Sequence, residues 1–240
     1  MKRKLDLSPN FSKKTRKKKD IKFVIIHYTG MQSEIESIRR LKNSKSKVSC
    51  HYLINKKGDV FQMVKEKNVA WHAGKSKWGK FNNLNKFSVG IELVNRGQKF
   101  GYENFSNLQI QSLVKICKLL KKKYRIKEEN FLGHSDIAPL RKVDPGEKFP
   151  WRKLSKLDIG KWYNLKKLNL RIDRNKQKKL FFKNIFKIGY RYFSLTKRSK
   201  KDKKVITVFQ QKYLPQKVSG IIDQKTYEIS HFLANYSKFS

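Results

Sequence analysis

The stretch IKFVIIHYTG, residues 21–30, runs through the apolar residues Phe23, Val24, Ile25 and Ile26 and then changes character at His27. Three of those four residues are β-branched, and so short an apolar run reads as a buried strand. A polar residue closing such a strand sits where α/β folds often place their chemistry.

Working outward, Ser33 and Glu36 have capping-box spacing, and Ile35, Ile38 and Leu41 then share one helical face, which predicts a helix over 34–42. Cys50 to Asn55 and Val60 to Val64 flank Lys56-Lys57-Gly58-Asp59 and read as a hairpin in the same sheet as the first strand. SVGIELV at 88–94 is another strand; its alternation puts Val89, Ile91 and Leu93 on one side and Gly90, Glu92 and Val94 on the other. Ser106 and Gln109 open a second capping box, followed by the stripe Ile110, Leu113, Val114, Cys117, Leu120 and Tyr124. Phe131 to Gly133 reads as a short strand ending at His134. After it Pro139, Pro145 and Pro150 exclude regular helix, so an ordered loop is expected over 134–151.

The pattern predicts an α/β fold with a central mixed sheet flanked by helices, followed by a small helical domain. Three parts are expected: a basic, mobile arm over 1–20, a catalytic domain over 21–165 and a helical domain over 166–240. Within the last, Val205 to Leu214 and Asp223 to Tyr236 carry apolar residues at helical spacing, with Asp223 as an N-cap.

The 240 residues are 38% apolar, with sixteen Phe and four Trp, enough for a real core. Lys and Arg number 59 against 18 Asp and Glu, a formal charge of +41. Two readings of that charge stay open: an attraction to polyanions, or a Lys bias spread over the whole surface. Cys50 and Cys117 lie in apolar runs and suit small buried hydrophobes, with no disulfide framework. The basic N-terminus lacks the apolar stretch of a secretory signal, and no run is long enough to span a membrane. A cytoplasmic protein is expected, with the periplasm as the alternative if the true start lies elsewhere or export uses another route.

Five histidines occur: His27, His51, His72, His134 and His231. His27 and His134 both close short strands, and Asp144 lies in a proline-held loop downstream. Two imidazoles and a carboxylate leave the fourth tetrahedral position for water, as in a catalytic zinc site. The alternative is two unrelated strand ends and a turn-forming Asp. His51 reads as core or as support behind a ligand. Trp71, His72 and Trp78 suit a saccharide or peptide groove, or else pin a loop to the sheet. Asn95 is a candidate for positioning substrate.

HYTG at 27–30, SCHYLINKKGDVFQMV at 49–64, AWHAG at 70–74, SVGIELVN at 88–95 and GHSDIAPLRKVDPG at 133–146 follow in order. Together they resemble the type 2 N-acetylmuramoyl-L-alanine amidase family over roughly residues 8 to 163. The resemblance implies that His27, His134 and Asp144 bind one Zn²⁺ and that Glu92 and Lys142 are the catalytic pair. Chemistry suits these roles: a carboxylate can accept the proton of an attacking water and pass it to the leaving amine, and a lysine can stabilise the oxyanion. Phage lysozyme-type relatives carry Cys where Asp144 stands and a catalytic Tyr where Cys50 stands, so this chain is closer to the bacterial recycling and lipoprotein-type branch. Residues 205–233 are similar to a peptidoglycan-binding helical domain.

The expected partners are therefore peptidoglycan or soluble muropeptides, met by a monomer without a membrane span. One rival is a non-catalytic peptidoglycan receptor on the same fold, which the full ligand set opposes. The other is a nucleic-acid-binding protein, which rests on charge alone; no recognised nucleic-acid motif accompanies it, so no specific nucleic acid is expected.

Overall fold

The computed structural model describes residues 3–165, 170 and 172–236. Strands β1 (Arg3–Leu5), β2 (Phe11–Thr15) and β3 (Phe23–Tyr28) precede helix α1 (Glu34–Lys42). Strands β4 (Tyr52–Ile54), β5 (Val60–Gln62), β6 (Asn68–Ala70), β7 (Lys77–Trp78), β8 (Phe81–Asn82) and β9 (Ser88–Leu93) follow. Then come α2 (Gly97–Phe100), α3 (Asn107–Tyr124), β10 (Phe131–Gly133), α4 (His134–Ile137) and α5 (Trp151–Ser155). The chain closes with α6 (Arg174–Ile188), α7 (Asp202–Tyr213) and α8 (Gln224–Asn235).

The expected mixed sheet with flanking helices is what forms. Its six strands run in the order β1-β5-β4-β9-β3-β10. Strands β4, β9, β3 and β10 are mutually parallel, whereas β5 runs against β4 and takes β1 alongside in parallel. Alternation on the buried strands sorts the side chains. Val24 and Ile26 of β3, with Val89, Ile91 and Leu93 of β9, join the stripe Ile110, Leu113, Cys117 and Leu120 of α3 in one cluster. Phe23 and Ile25 point the other way. The two serines expected to open capping boxes do cap their helices: Ser33 Oγ accepts from the Glu36 amide and Ser106 Oγ from the Gln109 amide, each at 3.1 Å, while the Glu36 carboxylate accepts from the Gln32 amide and the Gln109 side chain donates to the Ile54 carbonyl.

The segment expected as an arm over 1–20 forms two strands where it is described. β1 extends the main sheet and β2 pairs antiparallel with β6. Hydrogen bonds, not apolar burial, fix it. The Asn10 side-chain amide donates to the carbonyls of Asn43 at 2.8 Å and Val48 at 2.9 Å. The Arg16 guanidinium donates to those of Glu66 at 3.0 Å, Asn85 at 2.9 Å and Ser88 at 2.7 Å. A Lys-rich segment anchored by so few polar residues has no periodicity to betray it. The loop after β10 is also corrected in detail, since one helical turn, α4, fits ahead of Pro139.

Helices α6 to α8 cover the face that Phe23 and Ile25 present. Phe181, Phe182 and Ile185 of α6, with Val205 and Phe209 of α7, share a cluster with Phe23, Ile25, Leu132 and Ile137. The division expected at 165/166 abuts residues 166–169, which lie outside the described residues, and packing continues across it. The pattern in 205–233 is accounted for by folding: Gln210 Oε1 accepts from the Gly220 amide at 2.7 Å and its amide donates to the Ile221 carbonyl at 2.8 Å. Asp223 accepts from the Thr226 amide at 2.8 Å and so caps α8. Among the described residues, no helix is long and apolar enough to cross a membrane.

Candidate active site

His27, Glu92 and His134 stand at the carboxyl ends of three neighbouring parallel strands, the edge where open α/β sheets bind ligands. His27 on β3 is in register with Glu92 on β9, so the pleat turns both side chains to the same face. His134 follows β10 directly. Asp144 returns to the same place because the Ser135 amide donates to its carbonyl at 2.8 Å. Gly133 makes that return possible, since a Cβ there would sit 2.7 Å from Pro145 Cδ.

Three ligand atoms converge. His27 Nδ1 lies 3.0 Å from His134 Nδ1 and 3.1 Å from Asp144 Oδ2, and His134 Nδ1 lies 3.1 Å from the same oxygen. Those separations are close to the edge of about 3.3 Å expected for a tetrahedron built on metal–ligand bonds of about 2.0–2.1 Å. All three residues are buried. Burial, reinforced by the neighbouring His134, pushes the His27 imidazole down to about 4, so it is neutral and free to ligate at neutral pH. Burial alone would raise the Asp144 carboxyl, but His134 and His27 outweigh it and hold it well below the usual carboxylate range. Two imidazoles and one carboxylate grouped in this way could hold a divalent metal.

Glu92 is the group left over. Its Oε2 is buried and has no hydrogen-bond partner among the described residues. Burial first, and the Asp144 charge second, push it up to about 8, a value suited to moving a proton near neutrality. Glu92, His134, Lys142 and Asp144 line one cleft of about 550 Å³, whose walls also carry Arg40, Lys99 and Arg141. Lys142 acts on Glu92 through its charge, favouring the ionised carboxylate.

The remaining sequence candidates separate. Trp71 lines the cleft and donates from Nε1 to Ser12 Oγ at 3.2 Å, so one edge of the indole is pinned to β2. His72 touches the cleft but is 8% exposed, and its Nδ1 lies 3.0 Å from His27 Nε2. Asn95 is not in the cleft wall: it donates to the Glu103 carbonyl at 2.9 Å and accepts from the Gly97 amide at 3.0 Å, which makes it a turn residue. Trp78 is buried against Tyr190 of the helical unit, ring centroids 4.8 Å apart. His51 is core, accepting from the Gly90 amide at Nδ1 and meeting the Asn68 carbonyl through Nε2.

Two contributors lie inside the 133–146 motif, but nothing in the sequence assigns them a role. Arg141, next to Lys142, donates to the carbonyls of Ala73 and Lys75 and ties the 73–75 loop to the ligand loop. Asp136, two residues after His134, is buried and accepts from the Gly133 amide, Tyr190 Oη and Lys212 Nζ, each at 2.6–2.7 Å. Through it the helical unit grips the ligand segment.

Comparison with known proteins gives the same picture. The chain is 35% identical over 229 residues to the N-acetylmuramoyl-L-alanine amidase AmiD of Escherichia coli K12, covering 89% of this chain and 82% of that protein. It is 30% identical over 164 residues to the 1,6-anhydro-N-acetylmuramyl-L-alanine amidase AmpD of Haemophilus influenzae, 61% of this chain and 86% of that one. The fold matches that of E. coli AmiD in complex with anhydro-N-acetylmuramic acid-L-Ala-D-γ-Glu-L-Lys at a TM-score of 0.79 and 32% identity, over 91% of this chain and 90% of the other. Residues 17–147, more than half of the chain and all of the converging site, match the Amidase_2 family, and the chain belongs to that family of N-acetylmuramoyl-L-alanine amidases.

Proposed function

We propose that this chain hydrolyses the amide between N-acetylmuramic acid, or its anhydro form, and L-Ala of the peptidoglycan stem peptide, with His27, His134 and Asp144 holding one Zn²⁺. The observation that carries the reading is the triangle of ligand atoms, with edges of 3.0–3.1 Å, beside a carboxylate in register with one of its corners. Bound there, zinc would polarise the amide carbonyl and make water acidic enough to react at neutral pH.

Glu92 takes the proton that the attacking water gives up and delivers it to the amide nitrogen as the carbon–nitrogen bond breaks. Its unpartnered Oε2 is the atom available for that transfer. A cation nearby would draw the carboxyl back from its raised value toward the ionised form. Lys142 lends positive charge to the carbonyl oxygen as negative charge builds on it. Arg40, Lys99 and Arg141 add a cationic wall that suits the carboxylates of a stem peptide.

The test is digestion of intact sacculi and of soluble anhydro-muropeptides by one zinc-loaded preparation, with mass analysis of the products. Free stem peptide and peptide-free sugar are expected from at least one substrate; neither product from either substrate would refute the activity. Cutting of the soluble substrate alone would assign the chain to recycling. Spinning the same preparation with sacculi measures any wall affinity of the α7–α8 pair.

A further inference from the structure

We infer that His72 serves the metal and not the substrate: the 72–73 segment fixes the tautomer and orientation of both ligating imidazoles. The inference rests on the zinc reading above.

The hydrogen bonds around His27 admit one direction only. If Nδ1 is the ligating atom, Nε2 carries the proton and donates to His72 Nδ1 at 3.0 Å. A neutral His72 that accepts at Nδ1 is protonated at Nε2, which lies 3.3 Å from Ser88 Oγ. The Ser88 hydroxyl in turn donates to the Leu84 carbonyl at 2.6 Å, and that carbonyl ends the line because it can only accept. The second imidazole is set in the same way one residue on. With His134 Nδ1 ligating, Nε2–H donates to the Ala73 carbonyl at 3.2 Å.

The segment itself is held stiffly. The Asn85 side-chain oxygen accepts from the amides of His72 at 3.0 Å and Ala73 at 2.7 Å. Gly90 leaves the space that the His72 ring fills, since a Cβ there would lie 2.4 Å from it. Both ring nitrogens of His72 are therefore used inside the protein, and neither is offered to the cleft. Groups behind ligating histidines of this kind set ring orientation and basicity, and their loss commonly costs about 10–100-fold in metal affinity.

The test compares wild type with His72→Phe and Ser88→Ala, measuring zinc dissociation by chelator competition alongside kcat and KM at saturating zinc. His72→Phe keeps a ring but leaves the His27 Nε2–H without an acceptor; it should weaken zinc binding by about 10–100-fold with KM unchanged. Ser88→Ala should weaken zinc in the same direction by a smaller factor, and excess zinc should restore its kcat. Ser88→Ala decides alone if His72→Phe does not fold. Zinc affinity within twofold of wild type in the folded variants, or a raised KM with zinc affinity intact, would overturn the inference and return His72 to the groove wall. A wild-type chain that takes up no zinc would instead overturn the metal reading itself.

Discussion

The two faces of the central sheet are built from the same strands yet do different work. On the α3 face Val24, Ile26, Val89, Ile91 and Leu93 are buried from end to end and meet an unbroken apolar stripe. On the other face Phe23 and Ile25 are covered by α6 and α7, but the next residues in the alternation are His27 and Glu92, and there the helical cover stops. A strand buried on both sides can thus carry chemistry at its last positions, provided that one covering layer is short. The helical unit grips the ligand segment at Asp136, where Lys212 and Tyr190 hold it, two residues from a ligand.

The largest effects should come from breaking the open end of that face. Asp144→Ala should abolish zinc uptake and activity together, whereas Glu92→Ala should keep zinc bound while losing about 10²–10⁴-fold in kcat. Metal content and turnover of the two variants, measured side by side, check this; zinc lost from Glu92→Ala would contradict the role given to that carboxylate.

Next in size is the seam under the site. Lys212→Met leaves the buried Asp136 carboxylate without its cation and should cost about 3–5 kcal/mol in urea unfolding, most of it recovered in the double variant with Asp136→Asn. A loss under 1 kcal/mol would mean that the helical unit is not anchored through this pair. On the closed face, Leu113→Ala should cost about 2–5 kcal/mol as a cavity and leave zinc affinity and KM unchanged. Altered metal binding in that variant would deny that the two faces are separable.

The smallest effect is a pH dependence at the end of α3, far from the site. Burial alone would raise the Glu66 carboxyl, but hydrogen bonds from Lys123, Tyr124 and Tyr52 outweigh it and hold it below its ordinary 4.5. A lowered folded value means that its contribution to stability is complete above that pH and is lost as pH falls through the folded value. The difference in Tm between wild type and Glu66→Gln should therefore be largest near neutrality and shrink in acid; a gap independent of pH would remove Glu66 from the acid response.

Residues whose signal is local were legible. FVII, SVGIELV and the α3 stripe announce themselves by period, because each buries a face along its whole length. The site was legible as motifs, and the structure brings His27, His134 and Asp144 together as those motifs imply. What stayed hidden depends on distant partners. β1 and β2 are held by hydrogen bonds to carbonyls far along the chain, which leave no pattern in a Lys-rich segment. Trp78 stays open in the sequence between a groove aromatic and a loop pin because its cover, Tyr190, lies more than a hundred residues away. Asn95 looked free to meet substrate until its side chain closed a turn.

The account stands most directly on a titration of metal-free wild-type chain with zinc while release of stem peptide from an anhydro-muropeptide is followed. It predicts no turnover without metal and a linear rise that saturates at one equivalent per chain. Full turnover by the metal-free chain, or none after one equivalent has bound, would contradict it.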